Sequence, residues 1–598
     1  MKSIFTLLVL LTMTSQLNAQ ANLSYKVGMS KLDITNLKHG GGTMGYSIAS
    51  SFATGIETRL YVRTYVLEDA QANKVAIVNL ELCFVPSELK KRALEILNDS
   101  TFTEENVLVM AQHTHSGPGG FCHHAAYNFS ITGYVDELFE FFAEKIASSI
   151  AEANKVLVPC DLKLNNGTFP LEWEVGFNRS IESYNQNPEV EQQTFENRHK
   201  AINRDMNLLQ FVGEGSLPLG SINWFGVHAT SISNDIHDVN ADNKGYAALY
   251  LERSFQKMNP NYIGAFAQGT AGDVTPKYIY NKKHKWQRGA YEGKFPDDLE
   301  SARYNGDLQF KKAKEIIEDS NQHLVNGNGI HCTLRYFDFS SILVDKTYFE
   351  SEDQKWTSPS CIGMAMLAGS LIDGPGAPDF VVKMGNNWAD KIRKRELKSA
   401  ADSSSVEAQK IRHKYEAQGP KKIILETGEK KMLGHTDLNK IPIPSFADPM
   451  VAAIKRQYNA GGLTENTWTP QILPLQIIEI GDLVLAALPF EITTTAGNRL
   501  RMGIEKLYAE AGESMKQVIL CPYANSYSGY ITTYEEYQVQ RYEGGHTVFG
   551  QYSLAALQTV YKKLFQQKNK EMTPEEQIYP PAFSKEELSK RSFVPIKH

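Results

Sequence analysis

The 598-residue sequence has none of the local signatures that mark common hydrolase sites. It contains no His-Glu-x-x-His run, no Gly-x-Ser-x-Gly elbow and no Gly-x-x-x-x-Gly-Lys-Ser/Thr loop. A hydrolytic site would therefore have to be assembled from distant segments. Cysteine is scarce: Cys83, Cys122, Cys160, Cys332, Cys361 and Cys521 lie far apart with no Cys-x-x-Cys pair, which disfavours a thiolate zinc site. In an oxidising compartment they allow one or two disulfides, and their spacing assigns none. The formal charge of -6 leaves no basic excess, so a nucleic-acid partner is not expected. Beyond the N-terminus no apolar run nears the ~20 residues of a membrane span. There is no internal repeat and no low-complexity tract.

What is present is an ordinary globular composition, 42% apolar and 22% charged, long enough for one large or two medium domains. Lys2, the apolar run Ile4 to Met13, and Leu17-Asn18-Ala19 before Gln20 have the layout of a signal peptide over residues 1–19. The mature chain is then secreted or periplasmic.

Short strands with turn signals alternate early: Arg59 to Val66, Val75 to Leu80, and a turn at Gly40-Gly41-Gly42. Tyr134 to Asn154 predicts a helix whose Val135, Leu138, Phe142, Ile146 and Ile150 recur at helical spacing as plain core. Strands are expected over Asn207 to Val212, Leu219 to Val227, Tyr262 to Ala267, Leu483 to Leu488 and Val518 to Leu520. A helix is expected from Thr493 to Leu507, a surface helix within Asn281 to Glu318, an aromatic-rich loop over Tyr523 to Tyr542, and a docked tail from Pro574 to His598. In the polar block Asp390 to Lys422, Lys391, Arg393, Lys394 and Arg395 could face anionic lipid, but the accompanying acids favour a solvated helix face. The mixed pattern predicts an α/β (mixed α+β) fold with central β-sheets flanked by helices.

The most informative stretch is Asn106 to Gly120. Val107 to Ala111 reads as a buried strand, and His113 and His115 beyond it fall on one side by a strand's two-residue period. The glycines of Ser116-Gly117-Pro118-Gly119-Gly120 let a ligand approach backbone. Two imidazoles there suit a metal or proton-transfer site, or simply cap a strand end. Other strand ends carry His228, Glu491, Tyr527 and Tyr530. Two histidines and a carboxylate form a sensible zinc set. Glu491 also fits a helix N-terminal charge, and the two tyrosines also fit core aromatics with a wet hydroxyl.

The runs His113 to Gly120, Gly176-Phe177-Asn178-Arg179-Ser180, Val227 to Ser231, Asp242 to Tyr246, Gly272 to Pro276, Asp373-Gly374-Pro375-Gly376 and Tyr530 to Tyr537, in that order, resemble the neutral (non-lysosomal) ceramidase family from about Lys26 to Phe565. The resemblance implies one catalytic domain over about residues 20–570, with 571–598 as a tail. It also implies a zinc amidase that splits the N-acyl bond of ceramide into sphingosine and a fatty acid. Residue by residue it implies His113, His228, Glu491 and Tyr530 as Zn2+ ligands, His115 as the imidazole that handles protons or polarises the carbonyl, and Arg179 as a substrate-orienting cation. Asp273 and Thr275 would hold the polar head, with Gly117 and Tyr542 as further substrate contacts. A lipid substrate leaves peripheral membrane contact open, and nothing in the sequence fixes an oligomeric state.

The family's serine is Thr275 here, Lys277 stands where asparagine is usual, and Gly497-Asn498-Arg499 replaces Gly-Arg-Arg. The C-terminal immunoglobulin-like domain of many relatives is not expected in the short stretch after Phe565. Because threonine is restricted at χ1, a zinc-activated water is the expected nucleophile and Thr275 a hydrogen-bond partner. The alternatives are a zinc hydrolase of another N-acyl amide, a threonine-nucleophile amidase, and a secreted lipid-binding homologue without activity.

Overall fold

A computed structural model describes residues 23–594 except 39–41, 50, 282–290, 320, 328, 371, 375, 514, 569, 571–572 and 574–575. The expected signal peptide, most of the Gly40–Gly42 turn and part of the Asn281–Glu318 block lie outside the described residues.

The first sheet is built from β1 (Tyr25–Asp33), β2 (Tyr61–Glu68), β3 (Lys74–Leu80), β4 (Val107–Ala111), β5 (Val158–Thr168), β6 (Asp205–Val212), β7 (Pro218–Phe225) and β8 (Ile263–Gln268). Their order is β8-β7-β6-β5-β1-β2-β3-β4. The β3–β4 and β7–β8 pairs are parallel and the others antiparallel. β4 alternates between two cores: Val107, Val109 and Ala111 join one, Leu108 and Met110 another. Burial on both faces explains why it reads as an unbroken apolar run.

The second sheet orders β9 (Ile330–Asp338), β10 (Ile472–Ile480), β11 (Leu483–Ala487) and β12 (Gln517–Cys521) consecutively, with only β11–β12 parallel. The sheets face each other through a shared core in which Ile77, Leu108 and Ile222 meet Ile478, Leu485 and Ile519. Helices α1 (Ser87–Leu97) and α2 (Asp136–Lys155) cover the outer face of the first sheet near β2–β4. Helices α3 (Asp242–Phe255) and α4 (Asp298–Glu318) cover it near β6–β8. Helices α5 (Asp379–Ala400) and α6 (Val406–Gln418) pack side by side. Helices α7 (Thr494–Glu510) and α8 (Ser553–Gln567) cover the second sheet. The result is helix, sheet, sheet, helix, as the mixed pattern predicts.

Two local expectations need correction. α4 is half-buried rather than a surface helix: Leu308, Ala313, Ile316 and Ile317 are in the core. Its polar Asn305 and Gln309 are buried because each is hydrogen-bonded, to Val175 O and Asn243 Oδ1. Gly306 lets α3 come close, since a Cβ there would sit 2.6 Å from Asn243 O. The segment Tyr523 to Tyr542 is not all loop. It holds a short strand, Tyr530–Ile531, and a helix, Tyr534–Val539, started by a reciprocal capping box between Thr533 and Glu536.

The polar face of α5 is solvated, with only Gly385, Ala389 and Ala400 buried. The tail docks through a helix, Lys585–Lys590, and through Arg591, which donates to Gly462 O and His123 O. All six cysteines are free, so no disulfide links them. Among the described residues no helix is long and apolar enough to cross a membrane.

Candidate metal and hydrolase centre

His113 follows β4 and His228 follows β7, and their rings lie 5.0 Å apart by centroid. Two short ladders bring the other candidates to them. Glu491–Ile492 pairs in parallel with Tyr530–Ile531. Phe177–Asn178 pairs antiparallel with Val274–Thr275, which sets Arg179 beside the Asp273 loop. The donor atoms converge: His113 Nε2 is 3.4 Å and His228 Nε2 3.2 Å from Glu491 Oε2, and Tyr530 Oη is 3.4 Å from His228 Nε2.

Both imidazoles are committed at the other nitrogen. His113 Nδ1 donates to Cys83 O at 2.7 Å and His228 Nδ1 to Val274 O at 3.0 Å. Each carbonyl selects the tautomer that leaves Nε2 free to bind a cation. Tetrahedral zinc with bonds of about 2.0–2.2 Å needs ligand–ligand edges of about 3.3–3.6 Å. The spacing and the chemistry of this nitrogen and oxygen set therefore fit. His113 holds φ at +73°, an uncommon left-handed backbone that the surroundings must maintain.

Burial alone would raise the Glu491 carboxyl, but the neighbouring His113 and His228 outweigh it and hold it well below the usual range. Burial disfavours charge on His113, yet Glu491 and Cys83 push it up to about 10. Each group thus favours the opposite charge on the other, and a cation held among them would compete with a proton for the same atoms. His115 is held well below its ordinary value, first by burial and then by the two other imidazoles. Burial and then Glu491 keep the Tyr530 phenol protonated, against the pull of Arg179.

His115 Nε2 lies 3.0 Å from His113 Nε2. Its ring meets the Tyr46 ring edge-on at 4.8 Å, and Tyr46 is anchored by donating to Ile232 O at 2.5 Å. Arg179 is buried and largely spoken for: it donates to Glu543, Asp373, Gly272 O and, at 3.1 Å, Tyr530 Oη. Thr275 donates its hydroxyl to Asp373, which also accepts from Thr230.

His113, His115, Glu491, Tyr530 and Tyr542 line a cavity of about 80 Å³, together with Tyr127, Tyr527, Met44 and Met366. Three predicted substrate contacts lie elsewhere. Asp273 spends its oxygens on the N-terminus of α7, through Thr494 N and Oγ1, and on Asn178. Gly117 pairs its carbonyl with Met44 N, and Thr275 sits behind Asp373.

Tyr527, a candidate from the sequence, is joined by Tyr523, Asp373 and Glu543, to which the sequence gives no role. Tyr523 and Tyr527 both donate to Glu491, the former at 3.1 Å, so Tyr527 is more than a core aromatic. Asp373 and Glu543 hold Arg179. The clue available was a phenol or acid inside an otherwise apolar or glycine-rich turn.

The sequence pattern described as "Neutral/alkaline non-lysosomal ceramidase, N-terminal" matches residues 25–446 and 455–559. The chain belongs to this family. It is 30% identical to neutral ceramidase B of Dictyostelium discoideum, covering 91% of this chain and 72% of that one. It is 31% identical to neutral ceramidase of Pseudomonas aeruginosa, covering 94% and 75%. Among solved structures, one titled "Ceramidase complexed with C2" superposes with a TM-score of 0.74 at 30% identity, over 94% of this chain and 77% of that one. The neutral ceramidase crystal structure from Pseudomonas aeruginosa gives 0.72 at 28% identity, over 95% and 77%. The ceramidase architecture therefore extends over nearly all of this chain.

Proposed function

We propose that this ceramidase-family chain hydrolyses the N-acyl bond of ceramide, releasing sphingosine and a fatty acid, with Zn2+ held by His113, His228, Glu491 and Tyr530. The observation that carries the reading is the convergence of two tautomer-locked Nε2 atoms on one carboxylate oxygen at tetrahedral spacing. A zinc ion there supplies Lewis acidity, polarising an amide carbonyl and acidifying water.

The rest falls to side chains. His115, kept neutral, moves a proton at the Nε2 that faces the donor cluster. Arg179 orients the Tyr530 phenol from a guanidinium clamped by Asp373 and Glu543. Thr275 orients Asp373 through its hydroxyl and is not the nucleophile. Tyr542, on the cavity wall, contacts the substrate.

Dialysis against a strong chelator should abolish ceramide hydrolysis, and added zinc should restore it. Activity that survives complete zinc removal rejects this scheme. Export after loss of residues 1–19 belongs to the same reading, and N-terminal sequencing of the mature protein should begin at Gln20.

The cavity favours a second reading. At about 80 Å³ it is well below the ~300–1,000 Å³ of ordinary ligand pockets. A shorter N-acyl amide would fit it better than a two-chain lipid. Comparing kcat/KM across acyl lengths separates the two: a steep preference for short acyl groups selects the second.

A further inference from the structure

His113 and His228 arrive from β4 and β7, near opposite edges of the first sheet. The hydrogen-bonded path between those strands runs through β6, β5, β1, β2 and β3, and so fixes the spacing of the two imidazoles only remotely. Two direct ties cross the gap. Just after the histidines, Thr114 and Ala229 form an isolated bridge, and His115 N donates to Ala229 O at 3.4 Å. Just before them, a single buried side chain does the same.

Gln268, the last residue of β8, donates from Nε2 to Gln112 O at 2.9 Å and to Val227 O at 2.7 Å, while its Oε1 accepts from Val227 N at 3.3 Å. Gln112 and Val227 are the residues immediately preceding His113 and His228. We propose that Gln268 is a positioning residue that sets the distance between the two histidines, and hence the zinc affinity of the site. The inference rests on the zinc reading above.

Its chemistry suits the task. A planar carboxamide offers two N–H directions from one nitrogen and a fixed acceptor beside it, so it holds two backbones at a set separation and angle. Buried side chains that leave such carbonyls unmatched let the segments drift. A site whose geometry fits within a few tenths of an ångström is sensitive to that drift.

The test measures zinc dissociation constants by competition with a chelating indicator, with thermal unfolding of the metal-free protein measured in parallel. Gln268→Met keeps the volume and removes the donors, and should bind zinc roughly 10- to 100-fold more weakly, the range for losing an outer partner of a ligand. Gln418→Met is the control. Gln418 is equally buried and also donates twice, to Ser358 Oγ and Val548 O, so it should lower the unfolding temperature without changing zinc affinity. Gln268→Glu, which places an oxygen against two carbonyls, should weaken zinc at least as much as Gln268→Met.

Parental affinity in Gln268→Met, or a loss no greater than that of Gln418→Met, overturns the proposal while leaving the zinc site standing. A parent protein that binds no zinc overturns the zinc reading, and this inference with it. If neither Gln268 variant unfolds cooperatively, the residue is a folding element and the positioning role is rejected.

Discussion

Glu491 and Tyr530 are register partners in a two-residue parallel pairing, so their side chains leave adjacent strands on the same side. That pairing begins just beyond β11, where Pro489 and Phe490 interrupt the second sheet. It delivers a carboxylate and a phenol together, and Tyr523 and Tyr527 then hold the carboxylate from behind.

Removing one of those phenols should loosen the carboxylate without removing it. Tyr527→Phe is expected to weaken zinc binding by roughly 10- to 100-fold while the chain stays folded. Adding Tyr523→Phe should cost less than the product of the two single effects, because both act on one carboxylate. Competition titrations on the three variants check this. Unchanged affinity in all of them would show that the phenols do not support Glu491.

Gly45 holds φ at +120°, and a Cβ there would come within 2.4 Å of the His115 ring. Gly45→Ala should therefore displace His115 while leaving the proposed ligands in place. Turnover should fall with zinc content unchanged, a split visible when elemental analysis and kcat are measured on one preparation. Loss of zinc along with activity would instead make His115 part of the metal-holding set.

Thr275→Ala deletes a hydroxyl that donates to the buried Asp373. Hydrogen bonds to charged groups contribute about 1.5–3 kcal/mol, and denaturant titration should show a loss within that range. Activity should be impaired yet measurable, and Thr275→Ser should stay near the parent. A nucleophilic threonine predicts the same for serine but no activity for alanine, and indifference to zinc.

Lys244 is buried with only oxygen dipoles at hand, donating to Phe225 O and Ala267 O. Burial brings its ammonium down to about 7. Its folded pKa is thus below its unfolded value of 10.5, and between the two the unfolded chain binds the extra proton. Its destabilising contribution is therefore relieved as pH rises through that window, by up to about 1.4 kcal/mol per pH unit. The unfolding free energy of the parent minus that of Lys244→Met should climb between pH 7 and 10. A flat difference would place the lysine charged in the fold.

Much of the layer plan was legible because it is carried by local periodicity. The two-sided burial of β4 and the apolar stripe of α2 are written in consecutive residues. α4 was misread because its buried face includes Asn305 and Gln309, whose partners lie on distant segments. The site was legible in a different way. His113 and His115 stood out at a strand end, but joining them to His228, Glu491 and Tyr530 came from family resemblance, since nothing in spacing predicts a contact across hundreds of positions. The partners that hold Arg179, Asp373 and Glu543, are not legible in the sequence, because they too are remote from it. The bond from Asp273 to the N-terminus of α7 is not legible either, because that helix end carries no local mark of its partner.

β4 is an edge strand whose outer rim is covered by the segment leaving β12, through the Met110–Ala524 bridge and Asn525 N bonded to Val109 O. The two histidines follow strands of the N-terminal sheet, and the carboxylate and phenol lie on a separate two-residue ladder whose strands follow β11 and β12 of the C-terminal one. A cation seated among them would work as a rivet between the halves of the molecule. Pulling the sheets apart would empty the centre, and filling it would fasten the sandwich shut.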